Sequence, residues 1–227
     1  MNLNVLLDES FETYYWLGFL LADGCVVGNR IKLCLSEKDS EHIHKLCKYI
    51  DYGNTISLEI KPKGHRLVRI GFGNKDWTPL FCDKWDFRER KTYNPPKVSV
   101  YDRLYDRQIL SLLIGYIDGD GCIVKQTGRH DVRIDIHIHS SWIEFLTYIS
   151  DRISTMYDIK FNKPHLLNSG YIRWSISNRL IVNALLEEAK KQGLPILDRK
   201  WNKINTSLEI KRRKKSNPDV QKMALDK

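Results

Sequence analysis

Hydrophobic and polar positions follow two rhythms along this chain, and the rhythms recur in the same order in both halves. A nearly unbroken apolar run, capped by Ser10 or Asp8, predicts a helix ending near Asp23. Arg30 to Ser36 then alternates with period two, putting Ile31, Leu33 and Leu35 on one face of a strand and Arg30, Lys32 and Ser36 on the other. Asp39 to Ile50 reads as an amphipathic helix that buries Ile43, Leu46, Cys47 and Ile50. Ile56–Lys61 and Arg66–Gly71 alternate again as strands around a Pro62-Lys63-Gly64-His65 turn, and Asp76–Asp86 holds a short apolar helix. Asn94-Pro95-Pro96 interrupts the pattern, so 94–106 reads as a linker. After it Asp106 is expected to cap a second apolar helix. A strand over Arg133–His139, a helix over Trp142–Met156 and a strand over Tyr171–Ser177 follow. The last helix, Leu180–Gln192, is stopped by Gly193 and Pro195.

The two apolar helices are near copies. Trp16–Val27 is WLGFLLADGCVV and Leu113–Val124 is LIGYIDGDGCIV. Gly18 matches Gly115, Ala22 matches Gly119 and Asp23 matches Asp120, at a constant offset of 97 residues. A repeat at that distance predicts two units of like architecture. Gly18 and Ala22 share one helical face, as do Gly115 and Gly119, and small residues at this spacing let two helix backbones approach closely. Gly24 and Gly121 are expected to end the helices in the left-handed conformation. Packed in parallel, the helices bring Asp23 and Asp120 out at the same end. Each carboxylate then sits at the negative pole of its helix dipole and repels the other. Such a pair calls for a cation, and oxygen donors suit Mg²⁺ or a similar hard ion.

Composition narrows the partner. The 227-residue chain carries a net charge of +9 and a pI near 9.2, which suits a nucleic acid. No apolar run reaches the roughly 20 residues of a membrane span. MNLNVLLDES lacks a basic n-region and a cleavage site, so an intracellular protein is expected, in a bacterial or phage cytoplasm or in an organelle. Five cysteines without a CxxC pair argue against a disulfide framework or zinc site. His137 and His139 share a strand face, yet no third zinc ligand accompanies them.

The paired segments ending Ala22-Asp23-Gly24 and Gly119-Asp120-Gly121 resemble the motifs of the LAGLIDADG homing endonucleases, in the form with both motifs on one chain. The resemblance covers most of the chain. It implies an α+β fold of two αββαββα halves related by a pseudo-twofold axis. The motif helices form the interface, and two antiparallel sheets form a DNA-binding saddle. The halves fall at 1–93 and 107–210, and 211–227 is a basic tail that includes Lys211–Lys215. By the same resemblance Asp23 and Asp120 are the catalytic, metal-binding acids. The carbonyls of Ala22 and Gly119 complete the coordination of Mg²⁺ or Mn²⁺. The chain departs from the pattern at Leu21, where the second copy has Asp118, and the resemblance does not make Asp118 a ligand. Arg90-Lys91 and Arg199-Lys200 follow the last apolar helix of each half, where the family carries a basic residue lining the active site, so Lys91 and Lys200 are the candidates. Glu37 and Ser140 stand where the family often places a polar pocket residue.

Base reading is assigned to the polar strand faces, because a twisted β-ribbon fits the major groove. The candidates are Arg30, Lys32, Ser57, Glu59, Lys61 and Arg69, then Lys125, Arg133, Asp135, His137, Arg173 and Ser175. The expected activity is that of a monomeric, site-specific homing endonuclease of introns. It makes a divalent-metal-dependent double-strand break with 3′ overhangs in a long, non-palindromic duplex. The alternative is a non-cleaving binder of the same fold, an intron RNA maturase or a transcription regulator. Such members often lose the acids, and both acids stand here.

Overall fold

The computed structural model describes residues 1–125, 132–160 and 162–204; the Lys211–Lys215 run lies outside them. Helix α1 (Phe11–Asp23) starts where Ser10 Oγ accepts the Thr13 amide at 3.0 Å. Strands β1 (Gly24–Val27) and β2 (Arg30–Ser36), helix α2 (Ser40–Tyr49), strands β3 (Ser57–Ile60) and β4 (Arg66–Phe72), and helix α3 (Trp77–Trp85) complete the first half. A four-residue helix, α4 (Val98–Tyr101), leads to the second half: α5 (Asp106–Asp120), β5 (Gly121–Lys125), β6 (Val132–His139), α6 (Ile143–Tyr157), β7 (His165–Leu166), β8 (Tyr171–Ile176) and α7 (Arg179–Lys191). Each half is αββαββα. Its sheet is antiparallel, in the order β1-β2-β4-β3 or β5-β6-β8-β7.

The period-two alternation explains why each sheet has one dry face. Ile31, Leu33 and Leu35 on β2 and Val68, Ile70 and Phe72 on β4 point inward together, because Leu33 pairs with Ile70. Ile134, Ile136, Ile172, Trp174 and Ile176 do the same in the second sheet, with Ile136 opposite Trp174. The other face of each sheet carries the polar residues.

The segment 94–106 is packed against the body. Tyr101 is fully buried with its hydroxyl donating to Trp85 O at 2.7 Å, and Arg152 donates to Leu104 O at 2.9 Å. Asp106 lies in the first turn of α5, one residue past the cap. There it pairs with Arg152 at 2.8 Å, while Gln108 Oε1 takes the Tyr105 amide at 2.9 Å. Gln108 reaches back to the unpaired amide more directly than the short Asp106 side chain can.

α1 and α5 form the centre of the molecule, and their contact is reciprocal. Gly18 lies against the Leu112 carbonyl and Gly115 against the Tyr15 carbonyl, and Tyr15 and Leu112 are themselves repeat mates. A Cβ would stand 2.9 Å from Tyr116 N at Gly18, and 3.0 Å from Phe19 N at Gly115. The glycines that close these helices serve space rather than handedness. Gly24 (φ −77°) and Gly121 (φ −78°) are extended, contrary to the left-handed expectation. A Cβ there would stand 2.7 Å from Leu20 O and 2.6 Å from Ile117 O respectively, so the chain leaves the helix directly into a strand only if no side chain intervenes.

Each half also grips the other beside the helix ends. Arg199 makes a bidentate ion pair with the buried Asp39, and Lys45 donates to Ile196 O at 2.9 Å and Asp198 at 3.2 Å. On the opposite side Trp142 Nε1 donates to Lys91 O at 3.0 Å and Ser141 Oγ to Thr92 O at 2.7 Å.

Candidate active site

Because α1 and α5 run parallel with glycine between them, their C-terminal acids emerge side by side. Asp23 Oδ2 would lie 3.3 Å from a Cβ at Gly119, the residue preceding Asp120. Burial, reinforced by the charge of Asp120, pushes the Asp23 carboxyl up to about 6. Burial raises Asp120 as well. The two are carboxylates that the fold keeps partly dry at the unfavourable end of two dipoles.

Two lysines oppose that charge. Lys91 Nζ donates to Ala22 O. Lys200 is 6% exposed, and its Nζ donates to the carbonyls of Ile117, Asp118, Gly119 and Gly121 at 2.9, 2.6, 2.9 and 2.8 Å. The Ala22, Asp118 and Gly119 carbonyls lie in the last turns of α1 and α5, where a helix leaves carbonyls unpaired, and Ile117 O also takes the Gly121 amide, so both lysines cap helix ends. Burial lowers both ammonium groups; Asp120 and Asp23 pull Lys91 back up, and Asp118 and Asp23 do so for Lys200. The four predicted residues therefore share one electrostatic site.

The donor set fits a hard divalent ion, with two carboxylates that repel each other and backbone oxygens beside them. The Ala22 and Gly119 carbonyls are engaged by the lysines, and each oxygen keeps a second lone pair. Among the described residues no cluster of three or more His, Cys, Asp or Glu side chains gathers anywhere.

Raised carboxyl values set the sign of a stability effect. A group held above its unfolded value stabilises the fold at low pH, and that contribution is lost as pH rises through the folded value. For Asp23 the loss falls between about 4 and 6. Buried His42, pushed down to about 3 by burial, acts oppositely: its contribution is present above about 6.5 and is lost as pH falls. A difference measurement separates the two. Without divalent ions, Asp23→Asn should remove about 1–2 kcal/mol of wild type's stability loss between pH 5 and 7, as read from urea unfolding. Equal pH slopes in the two proteins would contradict the strain assigned to Asp23.

The remaining candidates sort by what already holds them. Arg30, Lys32 and Lys125 are exposed and have no ion pair among the described residues. With Ser57 and Arg69, Arg30 and Lys32 line an open groove on the first sheet that also exposes Cys25 and Cys34. Glu59 is taken by Lys61 at 2.8 Å and Arg69 at 2.5 Å. Asp135 is only 7% exposed and lies beneath the polar face instead of projecting from it. It accepts from Ser175 Oγ at 2.6 Å and Arg133 Nε at 2.9 Å, with Arg173 at 3.9 Å. Burial raises its carboxyl, but the bonds from Ser175 and Arg133 outweigh this and hold it below the usual range. His137 is exposed opposite Arg173. His139 meets Ser141 Oγ at 3.1 Å and packs between Tyr93 and Tyr171. Glu37 and Ser140 occupy equivalent strand ends. Glu37 pairs with Arg66 at 3.1 Å, and the Ser140 amide bonds Gly170 O at 3.1 Å; among the described residues no hydrogen bond joins either to Asp23 or Asp120.

The fold matches known structures. I-LtrWI bound to target DNA superposes with a TM-score of 0.60 at 11% identity, over 96% of this chain and 95% of that one. I-SmaMI bound to uncleaveable DNA gives 0.57 at 10% identity, with 97% of each chain covered. The LAGLIDADG meganuclease I-AabMI bound to uncleaved DNA gives 0.55 at 14%, over 89% and 91%. The chain has the LAGLIDADG homing-endonuclease fold. No protein-family model and no curated protein matches the sequence. At these identities the likeness is one of fold.

Within this LAGLIDADG fold the sequence pattern had passed over several residues at the centre. Asp39 was visible only as a helix start, although it anchors Arg199 next to Lys200. Tyr15 and Trp201 were given no role by the sequence, yet both donate to Asp118, at 2.7 Å each. The only signal for this network was an acid, Asp118, inside an otherwise apolar run.

Proposed function

We propose that the protein is a divalent-metal-dependent, site-specific DNA endonuclease that acts as a monomer on a long, non-palindromic duplex, cutting both strands with 3′ overhangs. One observation carries this reading: Asp23 and Asp120 reach the same end of the α1–α5 contact, flanked by Lys91 and Lys200, between two sheets with polar outer faces. No ordinary packing role explains two carboxylates gathered at the C-terminal ends of two packed helices, one half-buried and the other exposed.

Asp23 and Asp120 would hold the ion through carboxylate oxygens, with the Ala22 and Gly119 carbonyls as further donors. Bound there, a hard divalent ion supplies charge neutralisation for in-line displacement at phosphorus. Lys91 and Lys200, fixed by backbone carbonyls at the helix ends, hold positive charge beside the scissile phosphate. Arg30, Lys32 and Lys125, without an ion pair among the described residues, can turn to the duplex without first breaking one. Arg69, Arg133 and Arg173 come already oriented by Glu59 and Asp135. Two diverged halves need not read a palindrome, because nothing makes their contacts identical.

Lys91→Ala and Lys200→Ala should each slow cleavage more than they weaken binding; equal losses in both would make these lysines phosphate anchors. Duplex affinity should fall about a thousandfold between about 50 and 200 mM salt, as counterion release requires, and a flat response would contradict the saddle. The deciding test of the activity is incubation of a plasmid library of randomised inserts with Mg²⁺, and in parallel with Ca²⁺. Linearised molecules sharing one long insert sequence, with Mg²⁺, support the reading. Retention of inserts without linearisation would favour a non-cleaving binder.

A further inference from the structure

One charged group lies deeper than the acids and lysines of the site. Asp118 is 1% exposed, and its carboxylate accepts three hydrogen bonds. Tyr15 Oη donates to Oδ2 at 2.7 Å, the Leu197 amide to Oδ2 at 2.9 Å and Trp201 Nε1 to Oδ1 at 2.7 Å. Leu197 and Trp201 bound the short helical turn that carries Lys200, in which the amides of Lys200 and Trp201 both bond Leu197 O. One carboxylate thus pins both ends of the lysine-bearing turn. Tyr15 belongs to α1 of the other half, and its hydroxyl also meets His42 Nε2 at 3.0 Å. The Lys200 ammonium, with three protons shared among four carbonyls, has a single position open to it.

The repeat supplies its own control. In the first half Leu21 fills the place of Asp118 and is equally buried. Lys91 there bonds one carbonyl, Ala22 O, and its turn is held through the main-chain oxygens of residues 91 and 92 by Trp142 and Ser141. A leucine is therefore enough to pack this position. A buried carboxylate costs more than leucine and needs every one of its donors.

We propose that Asp118 is a positioning residue. With Tyr15 donating to it across the interface, it fixes Lys200 for the cleavage of one DNA strand, while cleavage of the other strand proceeds without such a brace. The proposal rests on the nuclease reading above and adds to it an asymmetry between the two cuts.

The test uses the full-length protein on a supercoiled plasmid carrying a site that the wild type cuts, with cleavage of each strand followed separately. Tyr15→Phe removes one hydroxyl and keeps the ring; Asp118→Asn keeps the shape and removes the charge. At saturating DNA each variant should slow one strand on the order of 10- to 100-fold, as loss of a supporting hydrogen bond does elsewhere. The other strand should remain close to wild type, so that nicked circles accumulate, and duplex affinity in Ca²⁺ should hold. Equal slowing of both strands, losses that track affinity, or no change on either strand would each overturn the proposal. If Asp118→Asn does not fold, Tyr15→Phe and Trp201→Phe give the same readout. A wild type that cuts no duplex at all would overturn the nuclease reading itself, and this would be seen before any variant is made.

Discussion

Asp23→Asn and Asp120→Asn should each abolish double-strand cleavage and leave duplex binding intact. Each substitution keeps the side chain's size and removes its negative charge, so the interface of α1 and α5 is preserved while a hard cation loses an anionic ligand. A loss of about a thousandfold or more in the cleavage rate is expected from either change, without additivity in the double variant, because the two acids act as one unit. Binding measured in Ca²⁺ should hold or tighten, since a carboxylate facing phosphate has been removed. Burial raises both carboxyls, and the charge of Asp120 further raises Asp23, so metal-free variants should also be the more stable proteins near neutral pH. Plasmid linearisation alongside a gel-shift titration separates the two effects. Either single variant linearising plasmid at the wild-type rate would remove the acids from the chemistry.

The second large effect falls on stability. Gly18→Ala and Gly115→Ala each add one methyl group where the facing helix presents backbone atoms, which cannot move aside as a flexible side chain would. The helices must separate, and the packing around Tyr15, Phe19, Leu112 and Tyr116 opens with them. A cost of about 3 kcal/mol or more is expected for each, at the upper end for overpacking. Because both wedge open the same contact, the double variant should cost less than the sum of the singles. Urea unfolding measures all three. Wild-type stability in Gly115→Ala would mean that the close approach of the helices is not needed.

Much of this was legible in the sequence, and for a physical reason. Period-two alternation in Arg30–Ser36 and Arg133–His139 reports one buried sheet face directly, and the observed strands begin and end within a residue or two of the pattern. The duplicated motif carried more: its glycine spacing requires a close helix pair, and a parallel pair brings Asp23 and Asp120 together. What stayed hidden depends on contacts distant in sequence. The Asp39–Arg199 pair spans 160 residues and the Tyr15–Asp118 bond 103, and no local spacing encodes either. Asp135 was assigned to the polar face by its register alone. Register fixes the side of the sheet, but the arginines and serine that cover Asp135 decide how far it is exposed. The expected left-handed ends at Gly24 and Gly121 failed similarly, since glycine satisfies two needs, torsional freedom and space, and sequence cannot say which one applies.

The central claim is that two acids at the ends of two packed helices form one centre that opens both DNA strands. Its most direct test is mapping of the broken ends on both strands of a cleaved site, in Mg²⁺, with wild-type protein. The account predicts one break in each strand, displaced so that the ends carry 3′ overhangs, and no breaks when Ca²⁺ replaces Mg²⁺. Breaks confined to a single strand, 5′ overhangs, or cutting that continues without a divalent ion would contradict it.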